Sequence, residues 1–416
     1  MPRSLRMVWL VFVIFFALSL FSNILGPIIP DIIDSFHVSM TAAAFLPFSF
    51  FIAYGVMSIP GGVLVDRFTE KPVIAAAFLL SLIGSLAFAI TPVYPVAVVS
   101  LFVIGAGMAV LQVAINPLLR TAGGEEHFAF NSALAQFIFG IASFFSPYLY
   151  SYLTQQLRRP GARGDLFIAV LARLTPAALP WVSLYWVFVV VNLAMLVVVF
   201  FARFPKVLRT EEESAGSRAS YRKVIAQPVV WLYFLCVFAY VGSEQGTADW
   251  ISKFLADYHH LDPHTVGASA VAWFWGLFTI GCFIGTFLLK LFNSRAVLGG
   301  TCIGALAALT VALFGPAPAA TVAFPVVGLF ASVMWPILLS LALNSVAEHH
   351  GSVAGVLCSA IMGGAVLPLI IGRVGDKAGL RTGMTLLYVS FLVVMSAAFW
   401  ARPLIENSTL QKRKAA

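Results

Sequence analysis

The sequence predicts an all-α membrane protein with twelve transmembrane helices in two six-helix halves. Three observations point to this fold class: 61% of the 416 residues are hydrophobic and only 10% are charged, the mean hydropathy is +0.96, and long apolar runs follow one another along the chain. A soluble core of this size does not use so much apolar side chain. The chain is therefore expected to be embedded in a lipid bilayer.

A helix needs roughly 20 apolar residues to cross about 30 Å of hydrocarbon, and in lipid its backbone groups must be bonded within the segment. The runs of this length are numbered as spans 1 to 12, at 7–33, 41–63, 73–92, 95–119, 129–154, 179–202, 229–254, 265–289, 297–315, 321–345, 353–372 and 383–401. Span 1 follows Arg3 and Arg6 as a signal peptide would. It is longer than the apolar region of a signal peptide and no clear cleavage site follows, so it is retained as a span.

Lys and Arg are distributed unequally between the two sides of the predicted bundle. With the N-terminus inside, 17 of the 25 Lys and Arg residues fall on the inner side and 8 on the outer side, although the arginines of loop 5–6 oppose this trend. Loops rich in Lys and Arg remain cytoplasmic. We therefore expect a multi-pass protein of a bacterial inner (plasma) membrane with both termini in the cytoplasm. This topology explains the net charge of +8, and no nucleic-acid partner is expected.

A polar segment divides the predicted spans six from six. We assign residues 1–203 to an N-terminal half, 204–227 to a cytoplasmic linker, 228–405 to a C-terminal half and 406–416 to a basic cytoplasmic tail. Two halves of six helices are typical of secondary transporters, whose substrate site lies near the membrane midplane between the halves. The expected assembly is a monomer in the bilayer.

The sequence lacks the motifs of enzymes and of metal proteins. A phosphate-binding loop, a nucleophile arrangement and an ATPase domain are absent from it, so no enzymatic activity and no cofactor are expected and energy would come from a gradient. The four cysteines, all within predicted spans, are Cys236, Cys282, Cys302 and Cys358. Their positions indicate neither a metal site nor a disulfide framework.

The connection after span 2 reads GGVLVDRFTEK, from Gly61 to Lys71. It resembles the signature loop of the major facilitator superfamily, Gly-x-Leu-x-Asp-Arg-x-Gly-Arg-Lys. The matching residues are Gly62, Leu64, Asp66, Arg67 and Lys71, while Thr69 and Glu70 depart from the pattern. The matching glycine permits close helix contact, and the Asp-Arg pair can bond or cap a neighbouring helix end at an inner gate. The alternative is a turn flanked by ordinary membrane-surface charges.

Further short motifs occur in order through both halves. They are SNILGPIIPDI (Ser22–Ile32) in span 1, IPGG (Ile59–Gly62) in span 2, LQVAINP (Leu111–Pro117) in span 4, LAQ (Leu134–Gln136) in span 5, YVGSE (Tyr240–Glu244) in span 7, FWGLFTIG (Phe274–Gly281) in span 8, VGLFASVMWPILLSLAL (Val327–Leu343) in span 10, and GGAVLP (Gly363–Pro368) with GDKAGL (Gly375–Leu380) around span 11. This set is similar to the fucose/glucose/galactose permease family of the superfamily. The resemblance implies the major facilitator fold and import of a hexose or related sugar by alternating access, coupled to protons or sodium.

Two departures from that family concern ion coupling. The family's coupling carboxylate in span 1 falls on Gly26, and the Glu of its span-4 motif Leu-Glu-Thr-Ala-x-Asn-Pro is replaced by Gln112. Neither residue can take up a proton near neutral pH. Sugar binding is still expected, but coupling would need another site, and the alternative is an uncoupled sugar uniporter.

Amide side chains are the sugar-binding candidates of the first six spans. Gln112 and Asn116 are four residues apart, share a face of span 4 and offer donors and acceptors to hydroxyls. The resemblance adds Gln136 in span 5 and Asn23 in span 1. The alternative for these residues is a hydrogen bond between helices, a common role of amides in membranes.

Span 7 carries an unusually polar stretch, VGSEQGTADWISK. Polar groups at this depth in lipid are costly and usually mark a pathway. Gln245, Asp249 and Lys253 recur every four residues and are expected on one face. Glu244 and Asp249 are the candidates for proton or cation coupling, and Gln245 and Asp249 for binding sugar hydroxyls. The alternatives are an Asp249–Lys253 ion pair and a structural hydrogen bond from Glu244 to a facing helix.

Aromatic platforms are also expected, because sugar rings present apolar C–H faces. Trp275 in span 8 and Trp335 in span 10 are favoured over Trp250 and Trp273, since most aromatic residues in a membrane protein serve packing or the interface. Two other functional classes remain open. A drug or lipid exporter would show an apolar cavity, and a non-transporting sugar sensor would carry a partner-binding extension.

Overall fold

The computed structural model describes residues 4–124, 128–159, 166–204, 218–346 and 350–403, and within these ranges it is helical without a β-strand. The first half consists of α1 (Leu5–Ser22), α2 (Leu25–Phe36), α3 (Met40–Phe68), α4 (Glu70–Ile90), α5 (Tyr94–Gly123), α6 (Phe128–Arg158), α7 (Leu166–Leu174) and α8 (Ser183–Phe201). After α9 (Arg218–Ile225), the second half consists of α10 (Pro228–Ala248), α11 (Ile251–His259), α12 (Ala268–Leu291), α13 (Ser294–Phe314), α14 (Ala317–Ala331), α15 (Met334–Leu343), α16 (His350–Ser359), α17 (Gly363–Ala378), α18 (Leu380–Met384) and α19 (Leu386–Trp400).

The helices coincide with the predicted spans. Eleven helical runs among the described residues are long and apolar enough to cross a membrane. Predicted span 5 is not one of these eleven, but it lies within α6, a single helix of 31 residues. Polar side chains lower the hydropathy of α6, and some of them bond to other helices. Ser143 shares a hydrogen bond with Ser19 of α1, and Ser151 donates to the carbonyl of His264 in the second half.

Five predicted spans are each built from two helices. Span 1 breaks between α1 and α2, span 7 between α10 and α11, span 10 between α14 and α15, span 11 between α16 and α17, and span 12 near its start, between α18 and α19. The break in span 10 has a local cause, because Pro336 lacks an N–H and frees the carbonyl of Ser332. That carbonyl accepts a 3.4 Å hydrogen bond from the Cys282 thiol. Interrupted helices of this kind often form the binding sites of transporters.

Each half packs mainly on itself, and a smaller set of helix contacts joins the halves. In the first half α5 packs against α3 and α4, and in the second α14 packs against α12 and α13. Between the halves the larger contacts are those of α3 with α17 and α16, of α6 with α12 and of α2 with α11. The α6–α12 contact depends on a small residue, since a Cβ at Gly140 would lie 1.9 Å from the Thr279 hydroxyl oxygen.

The hydrogen bonds seen between the two halves gather at one end of the bundle, where α2 ends and α3 begins. This is termed the closed end. Asp376 of α17 accepts 2.8 Å hydrogen bonds from the backbone N–H groups of Met40 and Thr41 at the start of α3. The dipole of α3 also favours a negative charge there. Asp31 of α2 meets the ring of His264 at 2.9 Å. The two halves are thus fastened to each other at this end.

Candidate functional site

The breaks of spans 1 and 7 face each other where the halves meet. Gly26 lies at the start of α2 and packs against the break of span 7, which separates α10 from α11. A Cβ at Gly26 would lie 2.3 Å from the carbonyl oxygen of Ala248 and 3.2 Å from the Cα of Asp249. Only glycine fits this contact, because a side chain would overlap the backbone. The position that the family resemblance assigns to a coupling carboxylate is therefore occupied by the backbone of span 7.

Asp249 places a carboxylate at this junction. The residue is 2% exposed, and its Oδ2 has no hydrogen-bond partner within the part of the chain that the structure describes. Its backbone N–H donates to the carbonyl of Gln245 at 2.8 Å, so it closes the last turn of α10. An unpaired buried carboxylate costs several kcal/mol when charged. Proton or cation coupling by Asp249 stays a prediction.

The alternative of an Asp249–Lys253 ion pair is not seen. Lys253 instead bonds to Asp257 at 2.7 Å, one turn further along α11. The expected common face of Gln245, Asp249 and Lys253 is interrupted because the helix breaks after Asp249. The prediction of a common face took the helix to be continuous. The break instead separates the buried carboxylate of Asp249 from the partly exposed Lys253.

Glu244 is half-buried and lies in a polar cluster between α10 and α15. The hydroxyl of Tyr240 donates to its Oε2, and Nε2 of Gln245 donates to its Oε1 at 3.1 Å. The ring centroid of Trp335 lies 6.4 Å from that of Tyr240. Both hydrogen bonds of Glu244 come from α10 itself, whereas the expected alternative was a bond to a facing helix. The carboxylate is thus bonded to a phenol and an amide, and an indole lies beside the phenol.

Asn23 is bonded within the first half. Its Nδ2 donates to Oγ of Ser143 at 2.8 Å, and the Ser143 hydroxyl shares a 2.7 Å hydrogen bond with Ser19. The bonds join α1 to α6 beside the break of span 1. This arrangement matches the helix-to-helix alternative for Asn23, and contact with a ligand stays a prediction for this residue.

The other amide candidates are placed on α5 and α6. Gln112 is half-buried on α5, and Gln136 is exposed on α6. The side chain of Asn116 lies outside the described residues. Ligand binding by these three residues stays a prediction.

The tryptophan candidates differ in what they can offer a ligand. Trp275 is 3% exposed, and its indole N–H finds no acceptor in the described segments. Trp335 is half-buried beside Tyr240. Trp250 is fully buried and donates to the carbonyl of Pro368 at 3.2 Å, which is a structural role. Of the two tryptophans favoured from the sequence, Trp275 therefore has an indole N–H without an acceptor in the described segments, and Trp335 has a partly exposed ring.

The signature loop fastens a helix end through its lysine. Nζ of Lys71 donates to the carbonyls of Phe200 and Ala202, at 2.9 and 2.8 Å. These carbonyls lie at the C-terminal end of α8, where a cation is favoured by unpaired carbonyl groups and by the helix dipole. A helix-end cap was expected here from the Asp-Arg pair, and the lysine provides one.

The other matching residues of the loop lie near the end of α3. Gly62 is half-buried, and Arg67 is exposed with its guanidinium 5.3 Å from the ring centroid of Phe68. The side chain of Asp66 lies outside the described residues. Gate roles for Gly62, Asp66 and Arg67 stay predictions.

Sequence reasoning missed two features of the site. Tyr240 was not recognised as a partner of Glu244, although their spacing of four residues places them on one helix face. The contact of Asp31 with His264 had no local signal, because 233 positions separate the two residues. Among the described residues, no group of three or more His, Cys, Asp or Glu side chains could hold a metal ion.

A sequence profile of the Major Facilitator Superfamily matches residues 11–364. The chain belongs to the Major Facilitator Superfamily. It is accordingly a multi-pass membrane transporter and not an enzyme, and its helices form the twelve-helix fold of that superfamily in two halves of six. The fold predicted from the sequence is confirmed.

Several characterised proteins resemble this superfamily member along most of their length. A glucose/galactose transporter of Brucella abortus biovar 1 (strain 9-941) is 28% identical over 85% of this chain and 84% of its own. An L-fucose-proton symporter of Escherichia coli (strain K12) is 24% identical over 88% of this chain and 86% of its own. These values confirm the resemblance to the sugar permeases of the superfamily.

Two solved structures share the fold. The transporter FucP in the outward conformation superimposes with a TM-score of 0.68 at 20% identity, covering 95% of this chain and 98% of that chain. An inward-facing bacterial homologue of the human lysosomal transporter Spinster gives a TM-score of 0.76 at 15% identity, covering 95% and 96%.

Proposed function

We propose that this transporter imports a hexose or a related sugar by alternating access, coupled to protons. The observation that carries the proposal is the buried polar group of span 7, in which Asp249 lacks a hydrogen-bond partner for Oδ2 in the described chain and Glu244 is held by Tyr240 and Gln245. The relatives named as glucose/galactose transporter and L-fucose-proton symporter support a sugar as the substrate.

The proposed coupling follows from the cost of burying a charge. Asp249 lies beside Gly26 at the α2–α11 contact, so closing this contact removes its carboxylate from water. A charged carboxylate without a partner resists that burial, whereas a protonated one does not. Closure would then require a proton, and opening at the other end would release it. Glu244 would bind the sugar hydroxyls or share the proton.

The distribution of Lys and Arg supports a periplasmic position for the closed end and a cytoplasmic position for both termini. On this proposal the protein is a monomer of a bacterial inner membrane. Residues 1–203 and 228–405 form the two moving halves, 204–227 the cytoplasmic linker and 406–416 a cytoplasmic tail.

An uncoupled sugar uniporter is the second candidate, favoured by the absence of the family's coupling carboxylates at Gly26 and Gln112. Coupling to sodium in place of protons would use the same two carboxylates. A drug exporter or a sugar sensor is less well supported, because the central cluster is polar and the named relatives are transporters.

Counterflow of radiolabelled sugars in proteoliposomes tests the substrate, using a panel of hexoses and amino sugars. Exchange of at least one hexose is expected, and no exchange across the panel would contradict the proposal. Asp249→Asn and Glu244→Gln are then measured with and without an imposed proton gradient.

Loss of gradient-driven uptake with retained counterflow would assign coupling to the altered residue. We expect this result for Asp249→Asn, with uptake reduced to the level of passive equilibration. If both variants behave as the unaltered protein and a proton gradient drives no accumulation, the uniporter is the correct function. A sodium gradient in the same vesicles distinguishes the two ions.

A further inference from the structure

A polar network joins the halves at the closed end, away from the central cluster. Asp31 of α2 is buried and accepts hydrogen bonds from the Tyr150 hydroxyl, from Nη2 of Arg158 at 3.2 Å and from the ring of His264 at 2.9 Å. Asp31, Tyr150 and Arg158 belong to the first half. His264 belongs to the second half and lies in the 263–267 turn, which precedes α12. The network therefore crosses the surface that separates when the closed end opens.

Both ring nitrogens of His264 face carboxylate oxygens. Nε2 is 2.9 Å from Oδ1 of Asp31, and Nδ1 is 3.2 Å from Oδ1 of Asp262. Asp31 already accepts from Tyr150 and Arg158, which is the pattern of an ionised carboxylate. A neutral imidazole donates from one nitrogen only, whereas an imidazolium donates from both. Both contacts can thus be hydrogen bonds only when His264 carries a second proton.

Asp262 is also held as an anion. Partial burial opposes ionisation, but hydrogen bonds from the backbone N–H of His264 at 3.0 Å and from the Thr265 hydroxyl at 2.8 Å outweigh it and hold the pKa of Asp262 below its ordinary value. This aspartate and its donors all lie in the second half. It stays beside His264 whether the closed end is shut or open.

We propose that the contact of His264 with Asp31 is a proton-binding latch that fastens the closed end. Opening would move His264 away from Asp31 while each carboxylate keeps donors from its own half, Arg158 and Tyr150 for Asp31 and the turn backbone for Asp262. The shut state therefore surrounds His264 with two carboxylates and the open state with one. Protonated His264 also lies against the Tyr150 ring, with centroids 6.1 Å apart and planes 26° from parallel.

One cation of the first half opposes the charge on His264 and also moves away when the closed end opens: Nη1 of Arg158 lies 3.4 Å from Nδ1 of His264. The Arg158 side chain is 49% exposed, so water screens it, whereas Asp31 is only 6% exposed and dominates the balance. α11 meets the turn through the Ser252 hydroxyl, which donates to the carbonyl of Pro263 at 3.3 Å. Asp31 and Asp262 balance Arg158 and protonated His264, so the latch is electrically neutral when it holds the proton.

The sign of the pH effect follows from linkage. The shut state binds up to one more proton than the open state, so acidification stabilises the shut state and raising the pH through the histidine range weakens it. The ratio of shut to open molecules changes by at most about tenfold per pH unit for one linked proton. This proton enters from and returns to the closed-end side. It sets how readily the gate closes and is separate from a proton carried across at Asp249.

Distances between spin labels test the latch without any sugar, so the result is independent of the proposed substrate. Labels are attached to cysteines introduced at Asp34 of α2 and His260 at the end of α11, both exposed at the closed end, after the four native cysteines are replaced by alanine. The purified protein is reconstituted in nanodiscs at about pH 8 and about pH 6, on either side of the ordinary histidine pKa. We expect the short-distance population to rise several-fold, relative to the long-distance one, at the lower pH.

His264→Gln keeps a hydrogen-bonding side chain without a titrating charge and should remove most of this pH response. Asp31→Asn keeps the size of the partner and should also reduce the response, which decides the matter if the glutamine variant fails to fold. The matched control is His37→Asn, an exposed histidine at the closed end whose backbone is left-handed, a conformation that asparagine accepts. It should respond as the unaltered protein does. Equal populations at both pH values, or an unchanged response in both latch variants, would overturn the proposal.

Discussion

The breaks of span 1 and span 7 share a backbone plan and differ in chemistry. Each lies in the first span of its half, and both interrupt a long apolar helix where α2 and α11 come together. At the first break, Asn23 is bonded to Ser143. At the second, the Oδ2 of the buried Asp249 has no hydrogen-bond partner within the described chain. A satisfied amide holds helices together, while an unsatisfied carboxylate can change its charge during transport.

Gly26 connects the two breaks, and the largest effect is expected there. Gly26→Ala puts a Cβ 2.3 Å from the Ala248 carbonyl oxygen, which the backbone cannot easily avoid. Overpacking of this kind costs about 1–3 kcal/mol, so closure at this end should be impaired by roughly fivefold to 150-fold. Sugar counterflow should fall accordingly. Gly300→Ala is the control, since no atom lies within 4 Å of the added Cβ.

Exchanging the residues of the two breaks sharpens the same comparison. The pair Gly26→Asp with Asp249→Gly would return a carboxylate to the span-1 position of the permease family. We expect this double variant to be inactive in counterflow. A side chain at position 26 would overlap the backbone of span 7, and removing the Asp249 side chain does not relieve that overlap. Recovery of transport would mean that the two breaks are interchangeable.

Tyr240 tests whether the environment of Glu244 differs in kind from ordinary packing. Tyr240→Phe removes a hydrogen bond to a carboxylate, an interaction worth about 1.5–3 kcal/mol, and should reduce gradient-driven uptake roughly tenfold or more. The matched control is Tyr233→Phe on the same helix, where the lost hydroxyl bonds to Ser345 at 2.8 Å. That control should lower thermal stability and leave the ratio of driven uptake to counterflow unchanged. Equal effects of the two variants on this ratio would remove Glu244 from a special role.

The sequence predicted the spans well, because apolar length follows directly from the thickness of the bilayer. It predicted continuous helices, however, whereas the structure breaks them after Ser22 and after Ala248, and the second break packs against Gly26. This is why the regular spacing of Gln245, Asp249 and Lys253 led to one shared face, whereas in the structure Lys253 lies beyond the break, on α11. The sequence shows that span 7 contains a carboxylate at Asp249. It does not show that Asp249 lies against Gly26.

The contact of Asp31 with His264 exposes the same limit. Each residue is unremarkable in its own segment, and only the folded chain brings them to 2.9 Å. By contrast, the short motifs identified the permease family because they are read one segment at a time. Features formed by residues of a single helix could be predicted from the sequence. Contacts formed between residues of the two halves could not.

The smallest effect is expected at the first break. Asn23→Ala removes the 2.8 Å hydrogen bond from Asn23 to Ser143 of α6, and Ser143→Ala removes that bond together with the 2.7 Å bond to Ser19 of α1. Such bonds contribute about 0.6 kcal/mol on average in membranes, so each variant should lower the unfolding temperature slightly and the double variant little further. Driven uptake relative to counterflow should stay unchanged, in contrast to Asp249→Asn. If Asn23→Ala abolished driven uptake while the protein stayed folded, a polar group of the first half would take part in coupling. The division of roles between the breaks would then be wrong, because a neutral amide cannot carry the proton itself and would have to orient a water or the sugar beside Asp249.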